Sequence, residues 1–151
     1  MANKDLNALF STNFIAVSRP MIRIFGIEAA LMLCELYAEY KYYESRKRLE
    51  PDGYFYSTVE NVEHNVGLSK GQQLRAIKQL SDYGIIKKAV RGMPGTRHFQ
   101  FQYAAISKLK KDIEIELKKD KKYMIPEQSE TYEVKKTATR SWSDVDTRVA
   151  F

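Results

Sequence analysis

The four residues Val66-Gly67-Leu68-Ser69 separate two helical patterns and constrain the fold more than any other stretch of the chain. Gly67 can adopt the left-handed conformation that ends a helix, because glycine has no Cβ to clash with the backbone. Ser69 and Gln72 form a capping box, in which the serine hydroxyl accepts from a helical N–H and the glutamine side chain reaches back. A helix that ends at Gly67 and a second that begins after Ser69 predict a helix-turn-helix.

The helix before this turn is short and amphipathic. Ser57 and Glu60 form another capping box at its start. Val59, Val62 and Val66 follow at helical spacing and form one apolar stripe. We therefore expect this helix to begin after Ser57 and to pack one side against the core.

The helix after the turn is expected over residues 70–83. Leu74, Ile77 and Leu80 are spaced to face a core, and no acidic residue occurs before Asp82. Long cations suit phosphates, whereas Arg and Gln suit base edges. The pattern therefore predicts a helix that enters a DNA groove. Its candidate DNA-contact residues have cationic or amide side chains: Lys70, Gln72, Gln73, Arg75, Lys78 and Gln79.

Two β-like runs follow this helix. Residues 85–90 start a strand, and Phe99, Phe101 and Tyr103 alternate with polar residues in a second strand. The Gly- and Pro-containing turn between them predicts the wing of a winged helix. Four cations in this part complete the candidate DNA-binding set: Lys87, Lys88, Arg91 and Arg97.

The predicted fold is α+β and mostly helical, a winged helix-turn-helix with a two- or three-stranded wing sheet. At 151 residues the chain is one domain with extensions. We expect a flexible N-terminus at residues 1–13 and a winged-helix DNA-binding domain, including an N-terminal arm, at residues 14–103. A C-terminal helix, serving as a lid or for dimerisation, is expected at 104–122. Residues 123–151 lack periodicity and predict a disordered tail.

Residues 27–47 predict the longest helix. Glu28, Glu35 and Glu39 lie on one side of it, and apolar residues spread over most of the rest. An apolar arc this wide is typical of a central helix. The tyrosines of this helix either stack on bases or pack in a core or dimer, and their spacing favours packing: Tyr37, Tyr40, Tyr42 and Tyr43.

The positive charge is concentrated in the helix and wing. Residues 69–103 contain seven cations and one acid, which matches the net charge of +6 for the whole chain. Such a segment is typical of a nucleic-acid-binding surface, although a solvated basic face would have the same composition.

The chain lacks the residues that several classes of protein function require. Two histidines and one cysteine do not make a metal site, no Gly-rich phosphate loop precedes a helix, and no close acidic pair stands between apolar runs. We therefore expect neither an enzyme nor a cofactor.

The chain contains no run of 18 apolar residues, so no membrane span is predicted. The N-terminus has no apolar signal core, and the single Cys34 fits a reducing cytoplasm.

Parts of this chain resemble the N-terminal winged-helix domain of replication initiators from phages and plasmids of low-GC Gram-positive bacteria. The resemblance covers roughly residues 14–103 and implies binding of origin or operator DNA. It implies contacts through the polar face of residues 70–79 and through Arg91 and Arg97. The segments that carry it are 52–57, 66–73, 76–80, 84–86 and the wing Arg91-Gly92-Met93-Pro94-Gly95-Thr96-Arg97-His98-Phe99.

Such initiators usually continue into a second folded domain, whereas only a helix and a tail follow here. An accessory replication protein or a small repressor is therefore a further interpretation. The leading hypothesis is a sequence-specific double-stranded DNA-binding protein of a phage or plasmid, acting in replication initiation or its transcriptional regulation. A homodimer is consistent with this, because one such helix reads only a short half-site.

The alternative hypothesis is a winged helix used for protein contacts, which binds or inhibits a host replication or defence factor. In either case the tail at residues 123–151 is a candidate contact for a host or phage replication protein.

Overall fold

The computed structural model describes residues 2–123, and the predicted tail lies outside these residues from 124 onwards. The described helices are α1 (Ala2–Ser11), α2 (Arg19–Phe25), α3 (Ile27–Ser45), α4 (Val59–Val66), α5 (Lys70–Tyr83) and α6 (Ile106–Tyr123). The described strands are β1 (Phe55–Tyr56), β2 (Ile86–Arg91) and β3 (Thr96–Phe101). None of these helices is long and apolar enough to cross a membrane.

The chain divides into two compact units. One contains residues 15–114, and the described part of the other contains residues 2–14 and 115–123. Helix α1 belongs to the second unit and occupies a segment for which the sequence predicted no helix. The helix-turn-helix and the wing both lie in the first unit.

Helices α4 and α5 form the predicted helix-turn-helix. Gly67 has the left-handed conformation (φ 73°), and its N–H donates to the carbonyl oxygen of Glu63. The capping box after it is confirmed, since the N–H of Gln72 donates to Ser69 Oγ (3.3 Å) and the N–H of Ser69 donates to Gln72 Oε1 (2.9 Å). The local chemistry of the turn therefore produces the predicted junction.

The capping box expected at Ser57 is wrong. Helix α4 begins one residue later, where the hydroxyl of Thr58 accepts from the N–H of Asn61 (3.1 Å). The N–H of Ser57 instead donates to the carbonyl oxygen of Arg97 (3.0 Å), and its side chain is buried. Strand pairing therefore extends to Ser57 and delays the start of the helix.

The wing sheet has three antiparallel strands in the order β1-β3-β2. Strands β2 and β3 pair from Ile86 opposite Phe101 to Arg91 opposite Thr96, and Phe55 in β1 pairs with Phe99. Helix α3 packs against α5, α4 and β1. The chain is thus an α+β winged helix-turn-helix. Its largest fully buried apolar side chains come from the strands and from helices α3, α4 and α5: Phe55, Phe99, Met32, Leu36, Leu80, Ile86 and Val62.

Two of the three acidic side chains on one side of helix α3 are buried. Glu35 and Glu39 are only 5% and 6% exposed, whereas Glu28 is partly exposed near the helix start. Asn65 of α4 donates from Nδ2 to Glu35 Oε1 (2.7 Å), so α4 covers this side. Tyr40 packs edge-on against Phe55 and Phe101, with ring centroids 5.9 and 5.5 Å away, which confirms the packing interpretation for that tyrosine.

Candidate nucleic-acid interface

Helix α5 buries Ile77 and Leu80 as predicted, but Gln73 takes the buried position that was expected for Leu74. Its buried residues are Gln73, Ala76, Ile77 and Leu80. Leu74, which the sequence placed toward the core, is 48% exposed. Positions 73, 76, 77 and 80 follow the helical spacing of i, i+3, i+4 and i+7, and Leu74 lies outside this set. The buried face therefore includes a glutamine, and a leucine faces solvent.

Gln73 has a structural role in the turn. Its side chain is 0% exposed, and Nε2 donates to the carbonyl oxygens of Val59 (3.0 Å) and Leu68 (2.8 Å). These bonds join the start of α4 to the loop before α5. The expectation that Gln73 lies on an accessible polar face is therefore wrong.

The other two glutamines of α5 also bond within the domain. Gln72 accepts from the N–H of Ser69 as part of the helix cap. Gln79 donates from Nε2 to the carbonyl oxygen of Phe25 (2.7 Å), the last residue of α2. Both side chains retain accessible surface, but Oε1 of Gln72 and Nε2 of Gln79 already hold protein partners.

Arg75 and Lys78 are exposed on α5 and form ion pairs. Arg75 contacts Glu28 of α3, with Nη2 3.1 Å from Oε1 and Nε 3.4 Å from Oε2. The hydrogen bond from Arg75 lowers the pKa of Glu28. Lys78 Nζ lies 2.7 Å from Asp82 Oδ2, and this hydrogen bond raises the pKa of Lys78. Exposed pairs of this kind contribute little to stability, so a phosphate can replace the carboxylate.

Arg91 lies against the loop that precedes β1. Its guanidinium contacts Glu50 and binds Asp52, with Nη2 2.6 Å from Oδ2. The same group lies 4.1 Å from the centre of the Tyr54 ring. His98 Nε2 is 3.2 Å from Glu50. Arg91 therefore holds this loop on the sheet.

Arg97 points into the domain. Its Nε donates to the carbonyl oxygen of Ser57 (3.0 Å), and its two terminal nitrogens are buried and have no hydrogen-bond partner among the described residues. Burial lowers the pKa of Arg97, while the nearby carboxylates of Glu39 and Glu60 oppose that shift. At the wing tip, Met93 is 99% exposed and Val90 is exposed as well. The wing therefore presents apolar side chains where arginines were expected.

Three predicted cations remain exposed and outside the ion pairs of the described residues. Lys70 lies in the first turn of α5, and Lys87 and Lys88 lie on the edge strand β2. Residues 46–48 add three exposed cations after α3. Cations at the end of a helix also favour its dipole, so a phosphate contact is a secondary interpretation of these three residues.

Comparison with known proteins yields little similarity in sequence. No protein-family model matches the chain, and no curated protein matches it. A solved structure described as "N-Terminal domain of DNA binding protein" matches with a TM-score of 0.48 and 14% sequence identity. The match covers 81% of this chain and 95% of that one.

Proposed function

We propose that this chain binds double-stranded DNA through the outer face of α5 and the wing. The observation that carries the proposal is the exposed outer face of α5, where Lys70, Arg75 and Lys78 lie on the second helix of a helix-turn-helix. This helix enters the major groove in helix-turn-helix proteins. Lys70 and Lys78 would contact phosphates, and Lys87 and Lys88 would contact the backbone beside the wing.

The finer function is sequence-specific binding in a phage or plasmid, in replication initiation or its transcriptional regulation. The resemblance of residues 14–103 to replication initiators supports this assignment. A homodimer, a cytoplasmic location and a replication-protein contact through residues 123–151 belong to the same proposal. No enzymatic step is part of it.

A second candidate function is protein binding by the winged helix. It is favoured by the exposed Met93 at the wing tip and by the engagement of Arg91 and Arg97 within the domain. DNA binding depends steeply on salt because phosphate contacts release counterions. The salt dependence of duplex affinity therefore separates the two functions.

Replacing Lys70 by alanine is expected to weaken binding to random-sequence duplexes and to reduce the slope of log affinity against log salt by about 0.9. The reason is the loss of one phosphate contact. Fluorescence anisotropy across a salt series measures both quantities. Lys110→Ala, which removes an exposed lysine from α6, is the matched control and should change neither. Equal slopes for the wild type and Lys70→Ala would contradict the assignment of Lys70. Absence of duplex binding at low salt would favour the protein-binding function.

Replacing Glu28 by glutamine is expected to tighten duplex binding by about threefold at low salt. The substitution removes an acid beside the outer face of α5 and releases Arg75 from its ion pair. The same substitution in an Arg75→Ala background is the control, and there the gain should shrink to the part that comes from removing the acid. A gain of equal size in both backgrounds would show that Arg75 does not reach DNA.

A further inference from the structure

Leu74 is a large apolar side chain in the middle of the exposed face of α5. It is 48% exposed, and the exposed Lys70 and Lys78 lie one helical turn on either side of it. A single exposed leucine is ordinary on a protein surface. Its position between two cations on the helix proposed to bind DNA is what makes this leucine informative.

The glutamines of this helix are engaged within the domain, since Gln72, Gln73 and Gln79 bond to its backbone groups. Arg75 can leave its exposed pair with Glu28, but a guanidinium group suits a phosphate or a guanine edge. An ammonium group suits a phosphate or a guanine edge. Leu74 is therefore the side chain on this face that is left to discriminate at A·T pairs.

Gly71 supplies a second and independent observation. It lies in the first turn of α5, is exposed, and a Cβ added to it would meet nothing closer than Arg75 Nη1 at 3.9 Å. Its φ is not in the left-handed region, so the fold does not require glycine there. Glycine is a poor helix former. A bare backbone three residues before Leu74 allows another surface to approach this part of the helix closely.

Thymine offers the apolar group that fits this arrangement. Its C5-methyl projects into the major groove, where apolar side chains contact it. We infer that Leu74 contacts thymine methyl groups and makes the DNA site of this chain dependent on thymine. The inference rests on the proposed DNA-binding function and specifies the base class read by the same face.

The test removes the methyl group and leaves every hydrogen-bonding group of the base pair in place. Duplexes are selected from a random library with the full chain, and the selected pool is then copied with either dTTP or dUTP. The wild type is expected to bind the thymine pool about three- to fivefold more tightly for each methyl contacted. Leu74→Ala should bind both pools equally, and Leu74→Met should retain the preference for thymine.

Lys78→Ala is the matched control on the same face. It should weaken binding to both pools alike and keep the thymine preference, because it removes a phosphate contact. Thermal unfolding followed by circular dichroism checks that each variant is folded.

Three outcomes would overturn the inference. Equal wild-type affinity for both pools, or a thymine preference that persists in Leu74→Ala, would contradict the role of Leu74 and leave DNA binding intact. Failure to enrich any sequence would contradict base readout and leave non-specific DNA binding. Absence of duplex binding at low salt would reject the proposed function as well, and would assign Leu74 to a protein-contact surface.

Discussion

Replacing Glu39 by glutamine is expected to raise the free energy of unfolding by about 3 kcal/mol above pH 7 and to change it little below pH 4. Glu39 is 6% exposed, and burial raises its pKa from 4.5 to about 7. The nearby Ser57 side chain opposes this shift, the charge of Glu35 adds to it, and the charge of Arg97 opposes it. The carboxyl group is therefore neutral in the folded protein under mildly acidic conditions.

The direction of the pH dependence follows from this raised pKa. Because the folded state binds the proton more tightly than the unfolded state, the stabilisation is complete below about pH 4.5. It is lost as the pH rises through about 7, where Glu39 ionises inside the domain. The glutamine side chain is neutral at every pH, so the Glu39→Gln variant does not lose this stabilisation as the pH rises. Glu35, Arg97 and Tyr43 face the same region and remain unchanged in the variant.

Urea unfolding at pH 4, 6 and 8 measures the effect. Glu28→Gln is the matched control, because Glu28 lies on the same helix and its pKa is lowered instead of raised. That variant should show no gain in stability with rising pH. Parallel pH profiles for the wild type and Glu39→Gln would contradict a buried carboxyl group that ionises near neutrality.

Replacing Gln73 by alanine is expected to lower the free energy of unfolding by about 3 kcal/mol. The substitution leaves the carbonyl oxygens of Val59 and Leu68 without their side-chain donor and opens a cavity beneath the turn. Duplex affinity should fall only under conditions where part of the protein is unfolded. Urea unfolding and anisotropy on the same preparations separate the two effects.

Gln79→Ala is a matched control for this substitution. It removes one hydrogen bond, to Phe25, from an exposed glutamine on the same helix and should cost about 1 kcal/mol. If Gln73→Ala remained as stable as the wild type and lost affinity for duplexes, Gln73 would be a DNA contact and its buried position would be wrong.

The predicted elements that agree with the structure depend on local chemistry. Helix α5 spans Lys70–Tyr83 as predicted, because Ser69 caps its start and Gly84 adopts the left-handed conformation at its end. Strands β2 and β3 lie within a few residues of their predicted positions. Each of these features depends on residues close together in sequence, so the chain alone determines them.

Packing between segments that are distant in sequence decides which side chains of the candidate site are free to contact DNA. Arg75 pairs with Glu28, 47 residues away, and Arg91 with Glu50, 41 residues away. No local pattern identifies such partners. One signal was present, since positions 73, 76, 77 and 80 have core spacing. A glutamine at the first of them was assigned by its polarity instead of by its position.

The sequence by itself determined the helix-turn-helix, the wing and the length of α5, because caps, turns and strand alternation are properties of neighbouring residues. Only the tertiary structure decided that Gln73, Glu35 and Glu39 are buried and that Leu74 is exposed. For Glu35 and for Nε2 of Gln73 the physical reason is that other parts of the chain supply hydrogen bonds to the buried group, whereas burial raises the pKa of Glu39 to about 7. Asn65 does so for Glu35, and the carbonyl oxygens of residues 59 and 68 do so for Gln73.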